Sequence, residues 1–135
     1  MSVFDTIRIA ASGLTAQRFR MDVAAANIAN ARSTRSTTGT SLYEPTAPVF
    51  ASVSMTDDGA QGVASVGVAR IGGDPIRVYD PTHPDADTTG FVSYPDVDVA
   101  TQMADLMGAS RSYSLNATVT AAAKQTALDA IELGR

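Results

Sequence analysis

No cysteine and no tryptophan occur in the sequence, and His83 is its only histidine. The first absence excludes a disulfide framework and thiolate chemistry, and a lone histidine excludes a histidine-based metal cluster. Aromatics are few, four Phe and four Tyr, and no stretch approaches the roughly 20 apolar residues of a membrane span. The first 28 residues are broken by Asp5, Arg8, Arg18, Arg20 and Asp22, which leaves no apolar core for a cleavable signal peptide. The chain is therefore expected not to span a membrane, and to leave a cell, if it does, by another route. Hydrophobic residues make up 44% of the 135, but much of that share is alanine. A buried Ala removes far less apolar area than Leu or Phe, so a core built this way gains little and leans on partners.

The net charge of −4 is unevenly spread. Residues 1–40 carry five Arg against Asp5 and Asp22, a net of +3, whereas residues 41–96 carry eight acids against Arg70 and Arg77, a net of −6. A basic end on an acidic middle suits head-to-tail contact between subunits, although a solvated charge distribution explains it equally. Nothing is basic enough for a nucleic-acid footprint, so no nucleic-acid partner is expected.

Three regions follow from the patterning: 1–31, 32–95 and 96–135. In the first, a helix is predicted from Val3 to Asn30, with Ile7, Leu14, Met21 and Ile28 at a strict seven-residue interval. Ala10, Ala11, Ala24 and Ala25 fill intervening positions, and Arg18 interrupts them. Gly13 either lets another helix approach closely or is a weak point costing about 1 kcal/mol. In the last region a helix is predicted from Val97 to Leu133. One row runs Val99, Met103, Leu106, Ser110, Tyr113, Ala117, Thr120, Ala127 and Ile131, and a neighbouring one Ala100, Met107, Ala121 and Leu128. That apolar surface is wider than one facing helix covers. Asp96 or Asp98 is placed to cap its start, and Gly134 follows its end.

Between the helices, Ser33 to Ser41 has no apolar anchor and reads as a mobile loop. Short strands are predicted at Val49–Val53, Val63–Ile71, Ile76–Tyr79 and Phe91–Tyr94, forming a small sheet that leans on a helix. Turns are supplied by Asp57-Asp58-Gly59, Gly72-Gly73-Asp74 and Asp80 to Pro84. The expected class is α+β: two long terminal helices packed as an antiparallel coiled coil around a small central β-rich domain.

Signals for chemistry are weak. Asp85-Ala86-Asp87-Thr88-Thr89-Gly90 imitates the opening of a calcium loop, but His83-Pro84 stands where an entering helix should run and Pro95 falls inside it. A polar hairpin turn is the better reading, with His83 serving its shape. No nucleophile elbow accompanies the serines, and the Gly62–Gly73 stretch lacks a phosphate-loop Lys. No catalytic residue, metal site or cofactor is expected.

Several stretches resemble the proximal rod proteins of the bacterial flagellum, the FlgC type. They are Ser12-Gly13-Leu14-Thr15-Ala16-Gln17, Arg20-Met21-Asp22-Val23 and Asn27-Ile28-Ala29-Asn30-Ala31 near the start. In the middle they are Val78-Tyr79-Asp80-Pro81, His83-Pro84-Asp85-Ala86 and Gly90-Phe91-Val92. In the last helix they are Ala109-Ser110-Arg111-Ser112-Tyr113, Asn116 and Ala122-Ala123-Lys124. The first group alone marks the wider axial family of rod and hook proteins; the middle and last narrow it. Residues 32–48 depart from the pattern, with a Ser/Thr-rich loop and Tyr43-Glu44-Pro45 where a more basic segment is expected.

The resemblance implies a structural subunit of the basal-body rod, without catalysis, assembled in the periplasm into a hollow shaft that transmits torque. It implies export through the flagellar type III apparatus without a cleaved signal. The implied partners are other copies, proximal and distal rod subunits, and the adaptor joining the rod base to the export gate and MS ring. Neighbouring subunits are expected to bury what the helix pair leaves over, with the first helix frayed in a lone chain. The expected assembly residues are Ile7, Leu14, Gln17, Arg20, Met21, Asn27, Ile28 and Asn30 in the first helix. In the second they are Met103, Leu106, Met107, Arg111, Tyr113, Asn116, Leu128 and Ile131. Asn27 and Asn30 fit a subunit contact or a helix cap equally, Arg111 and Tyr113 fit a polar network between helices although Tyr113 at its helical spacing is more often core, and Arg18 and Arg20 fit acidic neighbours or, more commonly, solvent. A distal rod or hook subunit is the nearest alternative, and a calcium-binding β-module is one from another class.

Overall fold

A computed structural model describes residues 3–34, 41–55 and 59–134. The chain runs α1 (Val3–Asn30), β1 (Thr46–Ser54), β2 (Gln61–Arg70), β3 (Ile76–Tyr79), β4 (Phe91–Tyr94) and α2 (Val99–Leu133). The class is α+β, as expected, with the two terminal helices packed on each other. Their antiparallel sense follows from side-chain contacts, since Asn27 meets Gln102, Arg20 meets Asp105 and Gly13 faces Asn116. The loop predicted at residues 33–41 and the Asp57-Asp58 turn lie largely outside the described residues.

The four strands do not form one sheet. β1 pairs with β2, and β3 with β4, as two separate antiparallel hairpins. The first is long, and its register shifts between Val49 and Phe50, which pair with Gly67 and Ser65 and leave Val66 as the extra residue. Gly67 has φ +145°, a conformation that lets the strand bulge there. Pro48 is tolerated inside β1 because each strand of a two-stranded sheet is an edge.

The β1–β2 hairpin lies on α1. The Ser12 hydroxyl donates to the Ile9 carbonyl and accepts from the Val63 N–H at 3.1 Å, and Phe19 meets Phe50 edge to face at 6.4 Å. A Cβ on Gly62 would stand 2.9 Å from that same Ser12 oxygen, so the close approach of β2 to α1 requires glycine.

The second hairpin is closed by residues 80–90. There the Asp87 carboxylate accepts from the Thr89 hydroxyl and from the Thr89 and Phe91 N–H groups, and pairs with Arg77. Its carboxyl is held below the ordinary carboxylate range chiefly by the Thr89 hydroxyl and then by the Phe91 N–H. Asp85 accepts from the Thr34 hydroxyl, and Ser93 is paired with Arg77 in the β3–β4 ladder. The segment is thus a hairpin turn and not a helix-flanked calcium loop. His83 shapes it by accepting the Asp85 N–H at its Nδ1.

Asp98 caps α2, accepting from the Ala100 N–H and the Thr101 hydroxyl, while Asp96 accepts from the Gly73 N–H instead. Among the described residues the buried apolar side chains, apart from Pro45 and Pro95, are Ala10, Ala16, Val23, Ala24, Val92 and Ala109. Four of these six are alanines, so the hydrophobic contribution per buried residue is small.

Candidate assembly interface

Where α1 ends, the structure is organised by one polar side chain. Asn27 is 1% exposed. Its amide nitrogen donates to the Thr46 carbonyl at 2.8 Å and to Gln102 Oε1 at 2.9 Å, and its oxygen accepts from the Tyr43 hydroxyl and the Thr46 N–H. Two donors and two acceptor positions are all an asparagine side chain offers, and all are used. Asn27 therefore ties α1, the entry to β1, and α2 together inside one chain. Asn30 takes the other role foreseen for it, donating to the Ala26 carbonyl of its own last turn.

Further along the pair, the helices meet through small groups. A Cβ on Gly13 would stand 2.8 Å from Asn116 Nδ2, so the glycine makes room for the Asn116 amide where the helices approach closely. On α2 the covered positions are Gln102, Asp105, Leu106, Ala109, Ser112, Asn116, Thr120, Ala123 and Ala127, a row at helical spacing in which Ala109 alone is fully buried. Arg20 reaches across to Asp105 at 2.7 Å, with both side chains nearly half exposed. Gln17 is half-buried, and its Oε1 is buried without a hydrogen-bond partner.

Apart from Leu106, the bulky apolar side chains of α2 point elsewhere or border the seam. Met103 and Met107, 52% and 64% exposed, sit on one flank of the small-residue row, while Leu115 and Val119, 63% and 47% exposed, sit on the other. Val99, Leu128, Ile131 and Leu133 are exposed as well. The expected row therefore shares Leu106, Thr120 and Ala127 with the covered face, whereas Met103 and Ile131 lie off it. Leu115 and Val119 stand outside the expected stripe, because two isolated apolar residues four apart carry no continuous periodicity. Gln102, Asp105 and Ser112 stand outside the expected row because the covered face is displaced by one residue from the 3–4 spacing that starts at Met103.

On α1, Ile7, Leu14, Met21 and Ile28 are all half-buried. The deeper positions are Ala10, Ala16, Val23 and Ala24, while Ala11, Ala25 and Arg18 are exposed. No hydrogen bond of Arg111 or Tyr113 joins the helices among the described residues: Arg111 is exposed on the far side of α2, while Tyr113, seven residues from both Leu106 and Thr120, borders the seam and is 37% exposed. Nor is α1 the helix short of burial. It lies between α2 and the β1–β2 hairpin, and of the two helices it is α2 that carries most of the exposed large apolar side chains, Phe4 being the one on α1 among the described residues. No helix among the described residues is long and apolar enough to cross a membrane.

This arrangement has relatives. Residues 7–35 match the family described as flagella basal body rod protein, and residues 88–133 match the C-terminal family of the flagellar basal body rod FlgEFG proteins. The chain is 35% identical to the flagellar basal-body rod protein FlgC of Bacillus subtilis, with all of both chains covered. The chain belongs to the FlgC family of flagellar basal-body rod proteins. It is also 40% identical to the FlgC of Agrobacterium fabrum, over 93% of this chain and 91% of that one, and 36% identical to that of Salmonella typhimurium over both full lengths. A FlgC-type chain is a structural subunit of the basal-body rod, and the two family matches fall on α1 and α2, the elements that carry the small-residue seam and the exposed flanks.

Proposed function

We propose that this rod subunit polymerises through the flanks of its helix pair, and that neighbouring subunits, not the chain itself, cover its large apolar side chains. One observation carries the reading. The seam within the chain uses Ala109, Ser112, Asn116, Thr120 and Ala123, whereas Met103, Met107, Leu115 and Val119 are turned outward on both sides of it. A helix built for a lone molecule places these the other way round.

The accessible surface supports the same reading. It is 9036 Å², against about 6,700 Å² for a compact monomer of its mass. A contact between different patches whose rotation does not close yields a helical array, the geometry of a shaft. In this reading Met103, Met107, Leu128 and Ile131 form one contact flank with the half-covered row Ile7, Leu14, Met21 and Ile28. Leu106, Gln17, Arg20, Asn27 and Asn116 hold the pair that presents them, Asn30 closes the last turn of α1, and Arg111 and Tyr113 are free to meet a neighbour.

The chain then acts without catalysis, in the periplasmic rod, reached through the flagellar export apparatus without a cleaved signal. Its neighbours are copies of itself, other proximal and distal rod subunits, and the adaptor at the rod base. Sedimentation over a wide concentration range, with negative-stain microscopy, tests this. Growth into elongated particles with concentration is expected, and a chain that stays monomeric throughout contradicts it.

A further inference from the structure

Two apolar surfaces lie at opposite ends of the helix pair. Where α1 finishes and α2 starts, an open groove of about 650 Å³ is lined by Ala31, Arg32, Ile76, Val78, Tyr94 and Val97, among others. Ile76 and Val78, two apart on one face of β3, are 49% and 45% exposed. At the far end α2 outruns α1. Gly13 faces Asn116, so antiparallel pairing brings the start of α1 level with about residue 126. Leu128 and Ile131 stand beyond that point, 45% and 66% exposed, and their spacing of three puts them on one face.

The groove and this overhang are about 50 Å apart along α2, too far to meet within one chain. Their charges are complementary. Arg32 is exposed at the groove and Glu132 is exposed beside Ile131, and neither has an ion-pair partner among the described residues.

We propose that residues 127–133 of one chain dock in the groove of a second copy, with Leu128 and Ile131 against Ile76 and Val78 and with Glu132 facing Arg32. The inference rests on the subunit reading above and adds which patch meets which. Because the two patches differ and lie at opposite ends, each docked chain leaves one of each free, and the contact propagates along the helix axis without closing.

The absence of cysteine gives a clean test. Full-length Val78→Cys and Ile131→Cys proteins are mixed and oxidised, and the disulfide-linked dimer is compared with that from each protein alone. Bridging requires close Cα atoms, so the mixture is expected to give at least about tenfold more dimer. Adding Arg32→Glu to the first protein removes that excess, and adding Glu132→Arg to the second restores it. Equal yields from the mixture and the single proteins, in a chain that still forms concentration-dependent assemblies, overturn this contact and leave the subunit reading standing. A chain monomeric at every concentration overturns both.

Discussion

α1 and α2 are both long and rich in alanine, yet the chain treats them differently. α1 is covered on two sides and buries Ala10, Ala16, Val23, Ala24 and Asn27, whereas α2 buries Ala109 alone and turns its two methionines and Leu115, Leu128 and Leu133 to solvent. One helix serves as the pivot of the fold; the other uses a narrow face for the fold and offers the rest. Stability and assembly should therefore respond to different residues, even on adjacent turns.

The largest loss of stability is expected at the pivot. Asn27→Leu leaves the Thr46 backbone groups, Gln102 and the Tyr43 hydroxyl without their partner. A cost of about 3 kcal/mol is expected, read as a melting temperature about 10 °C lower. The seam comes next. Gly13→Leu drives a side chain into Asn116 and should cost about 1–3 kcal/mol in denaturant unfolding. Gly13→Ala combined with Asn116→Ala removes the clash and should recover about 1 kcal/mol of helix propensity over Asn116→Ala alone.

Acid should act on the loops and the α2 cap. Asp80, Asp87 and Asp98 are held below their ordinary value, chiefly by the hydroxyls of Thr82, Thr89 and Thr101. The folded chain thus favours their charged forms. Their contribution is complete above the unfolded carboxylate value of about 3.9 and is lost as the pH falls through the lower folded values. A melting temperature that declines below about pH 4, less steeply in Asp87→Asn, is the expected result. The smallest effect belongs to Arg20→Gln. The Arg20–Asp105 pair is nearly half exposed, so its loss should cost about 0.2–1 kcal/mol, less at high salt.

The sequence carried the element order well. α1 was bounded at Val3 and Asn30 by its periodicity and its terminal asparagines, and α2 differs only in beginning at Val99, after the Asp98 cap. β3 and β4 fell where predicted, because Asp-Pro and Thr-Gly turns flank them. Pairing was less legible. Alternation fixes which residues lie on one face of a strand but not which strand lies beside it, so two hairpins were read as one sheet. The hairpin on α1 depends on the Ser12 hydroxyl meeting Val63 and on Gly62 allowing the approach, a contact between residues 51 apart that no local pattern announces.

The interface was half legible for a related reason. Apolar periodicity shows that a face will be covered, but not by what. On α2 the chain covers the face with the least bulk, so Asn116 was anticipated while Gln102 and Asp105 were not. The family signature near the start contains Gly13, Arg20 and Asn27, and each proves to hold α1 against α2.

The separation of fold from assembly is tested most directly on the outward flanks of α2. Met107→Glu with Leu115→Glu places one charge on each flank, at positions 64% and 63% exposed. Thermal unfolding and sedimentation of this double variant should be measured together. The account predicts a change in stability of less than about 1 kcal/mol and the loss of concentration-dependent assembly. A variant that assembles like its parent, or one that fails to fold, contradicts it.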